Sequence, residues 1–346
     1  MKKGFINISL KRLKDNFNYY KNNTNKKIIA VIKDNAYGHG LVECAKALQE
    51  EGCDYFVVSM IEEALLLREN GIKGGILLLG YPEKHEYKLL SLNNISIALY
   101  SWIQLFEITN SYFTNPLKMH LKINSGMQRN GITPSQLNDV LTTIKNDQRL
   151  ILEGVFTHYL GGKNCFNFVN EQFYNFKSII SEYIDENLMI HASSTNTYNL
   201  IDEDLTNCVR IGLGLYGLSD YLENHVITLK APIVQVYKGK VGTVVGYDAL
   251  FKCNEDGYVY TLPIGYADGY KPILNHNAFI DDYLIQAGKV SMDYSNFFST
   301  KYYMIGEEVE LIGEKISVGD IAKKTNTSKY DIVSSLSIKL KRNYIK

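Results

Sequence analysis

Strand-like and helix-like segments alternate along the first two thirds of this sequence, and that alternation limits the possible folds more than any other feature. Eight short runs rich in apolar and β-branched residues stand at 28–32, 55–59, 75–80, 96–101, 118–124, 150–158, 188–194 and 209–217. The segments before and between these runs show helical periodicity. One example is the spacing of Leu10, Leu13 and Phe17 after Ser9, which is a candidate N-cap. Because parallel βαβ units in this number close a barrel, the pattern predicts a (β/α)8 TIM-like barrel. An open doubly wound α/β sheet is the alternative.

The pattern changes after about residue 222, where helical periodicity nearly vanishes. Short strands interrupted by Gly, Asn and Asp are expected at 230–237, 239–245, 258–263, 284–290 and 308–312. We therefore expect a barrel domain over residues 1–222 and a mainly β C-terminal domain over residues 223–346. A strand at 4–10 precedes the first barrel helix and is placed to pair with the second domain. The basic tail with Lys339, Lys341, Arg342 and Lys346 is expected to be a solvated end.

Composition excludes several kinds of protein. The 346 residues are 45% hydrophobic, enough for a large core, and 37 basic residues balance 37 acidic ones, which argues against nucleic-acid and anionic-membrane partners. No apolar stretch approaches the ~20 residues of a membrane span. The five cysteines show no CxxC spacing, which favours reduced thiols in a cytoplasmic protein without a zinc site. The sequence contains neither GxSxG nor HExxH, so the motifs of serine and zinc hydrolases are missing.

Residues that could perform chemistry stand at the ends of the predicted barrel strands, where such barrels place their active sites. Those residues are Lys33, Arg129, His158, Ser194, Thr195 and Arg210. Lys33 follows an unbroken apolar strand, so its amine loses solvation and can become a nucleophile that forms a Schiff base. The alternative interpretation is a lysine that extends from a strand end into water.

The segment Ala30-Val31-Ile32-Lys33-Asp34-Asn35-Ala36-Tyr37-Gly38-His39-Gly40 closely resembles the pyridoxal-phosphate signature of bacterial alanine racemases. Further segments resemble this family in the family's order, at 122–129, 153–158, 191–195, 209–217, 246–249, 263–269 and 290–293. The resemblance covers essentially the whole chain. It implies a barrel that binds pyridoxal 5'-phosphate and a homodimer with shared active sites.

The resemblance also implies two catalytic residues. Lys33 would carry the cofactor as an internal aldimine and would serve as one general base. Tyr247, from the β domain of a partner subunit, would serve the opposite face of the substrate Cα, since racemisation needs a base on each side. A hydrogen-bond chain Tyr247–His158–Arg210 would assist the tyrosine, and Arg210 would keep the pyridine nitrogen unprotonated.

Further site residues follow from the same resemblance. Those around the cofactor would be Tyr37, Arg129, His158, Ser194, Thr195, Arg210, Gly212 and Leu213, with Tyr37, Thr195 and the amides around Gly212 and Leu213 at the phosphate. Arg129 and the backbone amide of Met292 would bind the substrate carboxylate. Tyr266 and Asp293 would line the substrate entrance. Lys122 would support Arg129, in some relatives as a carbamate. No metal is implied.

Three positions depart from the family pattern. Asn124 stands where the family usually has Asp, and Ser194 where it usually has Asn. Ile338 aligns with a tyrosine that reaches the cofactor phosphate and forms a wall of the substrate pocket. These differences concern cofactor affinity and substrate range rather than the type of reaction.

The leading hypothesis is an alanine racemase that supplies D-alanine for peptidoglycan. A racemase for serine or for a broad range of amino acids is the first alternative. A non-catalytic pyridoxal-phosphate-binding protein is the alternative from another class, although such a carrier needs no second base. The literal GxGxxG at 212–217 also admits a dinucleotide-binding oxidoreductase, but β-like segments rather than a clear helix follow it, so this signal is weak.

Overall fold

The computed structural model describes residues 3–346 except 184, 186, 201–203 and 271–283. The first strand and the eight barrel strands are β1 (Phe5–Ser9), β2 (Lys27–Val31), β3 (Tyr55–Val58), β4 (Gly75–Leu78), β5 (Ser96–Leu99), β6 (Leu117–Lys122), β7 (Leu150–Phe156), β8 (Met189–Ser194) and β9 (Cys208–Ile211). Strands β2 to β9 are all parallel, and β9 pairs back onto β2 to close the barrel. The predicted (β/α)8 barrel is confirmed, and the open-sheet alternative is wrong.

Helices connect the strands along the outside of the barrel. They are α1 (Leu10–Asn22), α2 (Lys33–Tyr37), α3 (Leu41–Glu50), α4 (Ile61–Glu69), α5 (Tyr87–Leu92), α6 (Trp102–Thr109), α7 (Pro134–Asn146) and α8 (Phe166–Ile180). The predicted cap of α1 is confirmed, because the Ser9 side chain accepts a hydrogen bond from the amide of Arg12 at 3.2 Å. The periodic residues Leu13 and Phe17 face the core and are buried. None of the helices that the structure describes combines the length and the apolarity needed to cross a membrane.

The last barrel strand is shorter than the sequence indicated. The apolar run predicted over 209–217 leaves the strand after Ile211 and continues as a 3₁₀ turn, Leu213–Tyr216. Helix α1 explains this change of direction, because the ring of Tyr20 packs directly against Gly214. A Cβ atom built on Gly214 would lie only 2.4 Å from that ring. The glycine therefore lets the turn close over the end of the barrel.

The C-terminal part of the chain contains three small sheets. Its strands are β10 (Ile227–Pro232), β11 (Gln235–Gly239), β12 (Val244–Val245), β13 (Phe251–Lys252), β14 (Gly257–Leu262), β15 (Ile285–Gln286), β16 (Ser295–Ser299), β17 (Glu308–Ile312) and β18 (Lys341–Ile345). One four-stranded sheet has the order β17-β10-β1-β18, the other has the order β11-β14-β16-β15, and β12 pairs with β13. Strand β1 runs antiparallel to β10 and parallel to β18, so the N-terminal strand belongs to the C-terminal sheet.

Several details of this part differ from the sequence prediction. The single strand expected over 230–237 is divided between β10 and β11, and those expected over 239–245 and 284–290 are two residues long as β12 and β15. Two helices that the sequence analysis missed, α9 (Val318–Lys324) and α10 (Lys329–Ser334), begin at the capping serines Ser317 and Ser328. The mainly β character of the domain is confirmed.

The prediction of a solvated basic tail is correct for Lys339, Lys341 and Lys346, which are exposed, and wrong for Arg342, which is half-buried. The tail forms β18, and Arg342 donates hydrogen bonds to the carbonyl oxygens of Gly38, Leu336, Ser337 and Leu340 at 2.7 to 3.3 Å. A guanidinium group has enough donors to hold several carbonyl groups at once. The tail is thereby attached to the segment that follows the first barrel strand.

The packing at Gly214 gives a test of stability. We expect Gly214→Ala to lower the free energy of unfolding by about 2 kcal/mol, since the new methyl group would overlap the Tyr20 ring. Gly319→Ala in α9 is the matched control. Its nearest neighbours would lie 3.5 Å away, and alanine is the better helix former, so stability should stay equal or rise. Urea denaturation of both variants makes the comparison, and equal effects would contradict the packing argument.

Candidate functional site

A cavity of about 580 Å³ opens at the carboxyl ends of the barrel strands. Ten of the residues singled out in the sequence line it, namely Lys33, Tyr37, Lys122, Arg129, His158, Ser194, Thr195, Arg210, Gly212 and Leu213. They come from separate segments of the chain, and the closed barrel brings them together because all parallel strands end at the same rim. The cavity is therefore the candidate active site.

The segment after Lys33 has an unusual backbone. Asp34, Asn35, Ala36 and Tyr37 all have φ between 52° and 56°, so α2 is one left-handed turn rather than a right-handed helix. Such a conformation costs roughly 1–2 kcal/mol per residue for L-amino acids. Side-chain hydrogen bonds offset this cost. Glu63 Oε1 accepts from the Asn35 amide at 2.7 Å, and Asn35 Oδ1 accepts from the Leu41 amide at 2.9 Å.

His39 fixes the same turn from inside the protein. Its ring is fully buried and stacks on Tyr216, with 4.3 Å between ring centroids. The Nδ1 atom lies 2.9 Å from the carbonyl oxygen of Ala36 and 3.0 Å from that of Tyr37, so Nδ1 must carry the proton and donate. Burial lowers the pKa of His39 to about 4, which keeps the ring neutral. The turn thus directs Lys33 and Tyr37 into the cavity from a fixed support.

The wall formed by the residues after β9 lies beside this turn, because β9 pairs with β2. Thr195 Oγ1 accepts hydrogen bonds from the amides of Gly212 and Gly214 at 3.1 and 3.2 Å. A Cβ atom built on Gly212 would lie 2.9 Å from the hydroxyl oxygen of Tyr37, so a side chain there would displace Tyr37. Burial raises the pKa of Tyr37, which keeps its hydroxyl group protonated as a donor. This corner offers hydroxyl groups beside a glycine backbone, as phosphate sites do.

The cavity is strongly cationic. Lys33, Lys122, Arg129 and Arg210 all line it, and none of the described residues that line it is an aspartate or a glutamate. Burial, Arg129 and Arg210 lower the pKa of Lys122 to about 8. The amine of Lys122 donates to the backbone oxygen of Asn130 at 3.1 Å and to its side-chain oxygen at 2.5 Å. Such a cavity favours a ligand with several negative charges.

His158 faces this cavity as a neutral donor. Arg210 donates to His158 Nδ1 at 3.0 Å, and a guanidinium cannot accept a hydrogen bond, so Nδ1 is unprotonated and Nε2 carries the hydrogen. Burial, Arg210 and Arg129 lower the pKa of His158 to about 3. The same Arg210 nitrogen donates to the carbonyl oxygens of Thr157 and Ala192, both at 2.8 Å. His158 can therefore offer an N–H group over the whole physiological pH range.

Four predicted site residues do not reach this cavity. Tyr247, Tyr266, Met292 and Asp293 all belong to the described C-terminal domain, are exposed, and do not line the cavity of their own chain. Two of the segments that carry them are joined, since the amides of Tyr266 and Ala267 donate to the carbonyl oxygens of Ser291 and Met292 at 3.0 Å. Within one chain, the predicted site residues of the barrel line the cavity, and those of the C-terminal domain lie elsewhere on the surface.

The departures from the family pattern have different structural outcomes. Asn124 keeps an acceptor role, because its Oδ1 accepts from the amides of Gly126 and Gln128 at 3.3 and 3.2 Å. Ser194 lines the cavity. Ile338 does not line it, and 81% of its side chain is exposed. The expectation that Ile338 forms a wall of the pocket is thus wrong within this chain.

Tyr330 is a cavity residue that the sequence analysis missed. It lies on α10, lines the cavity, and packs against Tyr37 with 5.6 Å between ring centroids. The capping serine Ser328 is the sequence signal that could have placed this helix. Alignment with the family places Ile338, rather than Tyr330, at the position of the C-terminal tyrosine.

Comparisons with known proteins agree with this fold along nearly the whole chain. Residues 8–220 match the family model for the alanine racemase N-terminal domain, and residues 226–344 match the model for the C-terminal domain. An alanine racemase of Streptococcus uberis is 33% identical, over 98% of this chain and 96% of the relative.

Solved structures give the same result. The alanine racemase of E. faecalis has a TM-score of 0.92 at 25% identity, covering 99% of this chain and 98% of the other. The histidine racemase of Leuconostoc mesenteroides has a TM-score of 0.87 at 26% identity, covering 100% of this chain and 98% of the other. Together with the cationic cavity and the lysine at the end of its first barrel strand, these matches show that the chain belongs to the alanine racemase family.

Proposed function

We propose that this protein interconverts L-alanine and D-alanine with pyridoxal 5'-phosphate, and that Lys33 and Tyr247 are its two bases. The observation that carries the proposal is the position of Lys33, at the rim of a cavity with three further cationic side chains. We also propose that the reaction takes place in the cytoplasm and supplies D-alanine for peptidoglycan. The five free cysteines are consistent with a reducing compartment.

The residues around the cavity fit pyridoxal phosphate. Tyr37, Ser194, Thr195 and the backbone at Gly212 and Leu213 form a polar corner for the phosphate. Lys33 lies at the rim with its amine 3.6 Å from an oxygen of Asp34, and it would bind the aldehyde carbon. Arg210 would face the ring nitrogen as a permanent cation and keep it unprotonated. When bound, the cofactor would withdraw electrons from the substrate Cα and acidify its proton.

Racemisation requires that a proton leave one face of Cα and return on the other. Lys33 would serve one face. Tyr247 of the partner subunit would serve the other, since Tyr247 does not line the cavity of its own chain. The Nε2–H group of His158 points away from Arg210, and it would donate to the tyrosine oxygen and stabilise that oxygen after it loses its proton.

The remaining predicted residues would position the substrate. Arg129 would bind the carboxylate, and Lys122 would support Arg129 either as an amine or as a carbamate. The Met292 amide, Tyr266 and Asp293 of the partner subunit would complete the carboxylate site and the substrate entrance. A homodimer follows from this division, because a two-fold pair completes both sites at once.

Substrate preference is open to one competing proposal. The histidine racemase of Leuconostoc mesenteroides has the same fold, so the fold alone does not select alanine. Serine or a broader range of amino acids is therefore the second candidate. A cofactor carrier without catalysis is disfavoured, since it would have no use for the exposed Tyr247.

Cofactor attachment can be tested chemically. The protein purified with pyridoxal phosphate should be yellow, and borohydride should fix the cofactor covalently to Lys33. Lys122 lines the same cavity and is the internal control, because its amine is held by Asn130. Peptide mapping by mass spectrometry identifies the modified lysine. Modification of Lys122, or of no lysine, would exclude the assigned role of Lys33.

Shared active sites can be tested with mixed dimers. Lys33→Ala and Tyr247→Phe homodimers should each lose at least a factor of about 10²–10⁴ in racemase activity, the usual contribution of one acid–base group. A heterodimer would carry both defects in one site and none in the other. Mixing the variants should restore activity, up to about half of the sites per heterodimer.

Mass labels on the two variants must show independently that subunits exchange. If exchange occurs and a D-alanine assay detects no recovery, both bases come from one chain and the shared site is wrong.

The walls of the pocket can be tested with two substitutions. Tyr330→Leu removes the ring that packs against Tyr37, so we expect weaker cofactor retention and a changed ratio of serine to alanine turnover. Ile338→Tyr should change neither property, since the Ile338 side chain is 81% exposed. Cofactor dissociation constants and both turnover rates are measured for each variant. If only Ile338→Tyr changed these properties, residue 338 rather than Tyr330 would form the wall of the pocket.

A further inference from the structure

A chain of buried polar side chains continues from Arg210 into the interior of the barrel, beyond the cavity. Arg210 contacts His191 Nδ1 at 2.6 Å, and His191 Nε2 lies 2.8 Å from His120 Nδ1. His120 Nε2 lies 3.2 Å from Glu153 Oε2. Both histidines are fully buried, and neither they nor Glu153 lines the cavity.

The packing leaves room for this chain of contacts. Gly154 follows Glu153 on β7, and a Cβ atom built there would lie 2.5 Å from His120 Nδ1, so a side chain would push the imidazole aside. The ring of Phe156 stacks on His191 with 4.9 Å between centroids and an interplanar angle of 10°. The two imidazoles are thus held in place by neighbours that do not form hydrogen bonds with them.

Arg210 fixes the direction of every hydrogen bond in the chain. A guanidinium group only donates, so His191 Nδ1 must accept, and the His191 proton must be on Nε2. That proton is donated to His120 Nδ1, which places the His120 proton on Nε2 as well. His120 Nε2 then donates to Glu153 and to the hydroxyl oxygen of Tyr55, which lies 2.9 Å away and itself donates to Glu153. With both rings neutral, only one tautomer of each histidine satisfies all three contacts.

The charges agree with this order. Burial and then the charge of Arg210 lower the pKa of His191, and burial lowers the pKa of His120 in spite of the opposite effect of Glu153, so the neutral form of each ring is favoured. Burial alone would raise the pKa of Glu153, but hydrogen bonds from His120, Ser96 and Tyr55 lower it below the usual value for a carboxyl group. Ser96 and Tyr55 donate to the same oxygen at 2.5 and 2.6 Å. The chain therefore joins a cation to an anion through two neutral dipoles.

We propose that Glu153 is a positioning residue for Arg210, acting through His120 and His191. Its carboxylate can only accept, so it requires the same tautomers as Arg210, keeps the lone pair of His191 Nδ1 turned toward Arg210, and so holds the guanidinium against His158. Its negative charge lies outside the cavity, where Lys118 Nζ also approaches it at 3.3 Å, and the cavity itself stays cationic. The effect of Glu153 on cofactor binding rests on the proposed function, whereas the predicted tautomers of His120 and His191 do not.

Glu153→Gln separates the charge of this residue from its shape. His120, Ser96 and Tyr55 all donate toward Oε2, so the amide oxygen of the glutamine would take that place and the tautomers that Arg210 requires would be kept, whereas the negative charge would be lost. The matched control is Ser96→Ala, which removes a hydrogen bond to the same Glu153 oxygen but keeps the charge and the contacts between Arg210 and Glu153.

The first measurement is ¹⁵N NMR of the histidine rings in cofactor-free wild-type protein, with signals assigned by single substitutions. At about pH 8 we expect His120 and His191 to be neutral and protonated at Nε2, since the contacts require that tautomer and the pKa values of both rings lie below the usual ~6.5. Detection of an Nδ1–H tautomer or an imidazolium in wild-type protein would overturn the proposal. This result does not depend on the cofactor, on racemase activity, or on any substitution of Glu153.

The second measurement compares Glu153→Gln and Ser96→Ala. The glutamine variant should keep the Nε2–H tautomers but show a cofactor dissociation constant raised about tenfold, as expected for loss of a charged hydrogen-bond partner, and an altered absorbance spectrum of bound pyridoxal phosphate. Ser96→Ala should lower the unfolding temperature yet leave tautomers, affinity and spectrum unchanged. An unchanged affinity and spectrum in Glu153→Gln, or equal effects of the two variants, would contradict the proposal. A protein without racemase activity that keeps the expected tautomers would instead contradict only the proposed function.

Discussion

The guanidinium group of Arg210 is the interaction on which the rest of the site depends. It donates to His191 and His158 and to the carbonyl oxygens of Thr157 and Ala192, so it connects the ends of three neighbouring barrel strands. Because it cannot accept a hydrogen bond, its neighbours must all be acceptors, and both histidines are neutral where they face it. The donor group of His158 follows from that one requirement, and the charge of Arg210 adds to those of Lys33, Lys122 and Arg129 in the cavity.

A second constraint is the left-handed turn after Lys33, which the C-terminal domain helps to hold. The Arg342 guanidinium donates to the Gly38 carbonyl oxygen at 2.7 Å, and a Cβ atom on Gly38 would lie 2.4 Å from the Val333 carbonyl oxygen. Tyr330 packs on Tyr37 within the same contact. The second domain thus stabilises the turn that directs Lys33, in addition to carrying Tyr247. Stability and function are coupled at this junction.

The sequence predicts the barrel and much of the cavity, and there are physical reasons for both the successes and the failures. Strand periodicity together with barrel closure brings strand-end residues such as Lys33 and Arg210 to one rim, so their positions follow from local patterns. The strand formed by the tail and the place of Tyr330 depend on pairing between distant segments, which local patterns do not contain. Part of the chain of contacts from Arg210 to Glu153 could have been predicted from the sequence. His120 and Lys122 are two residues apart on β6, so their side chains lie on the same face of the strand.

The central claim is that a second copy of the chain completes each cavity. A crystal structure of the cofactor-loaded homodimer tests it most directly. The account predicts that the hydroxyl group of Tyr247 of the partner subunit lies within about 2.6–3.2 Å of His158 Nε2, on the side of the cavity opposite Lys33. A cavity closed by residues of its own chain, or His158 bonded to a different group with Tyr247 left in solvent, would contradict it.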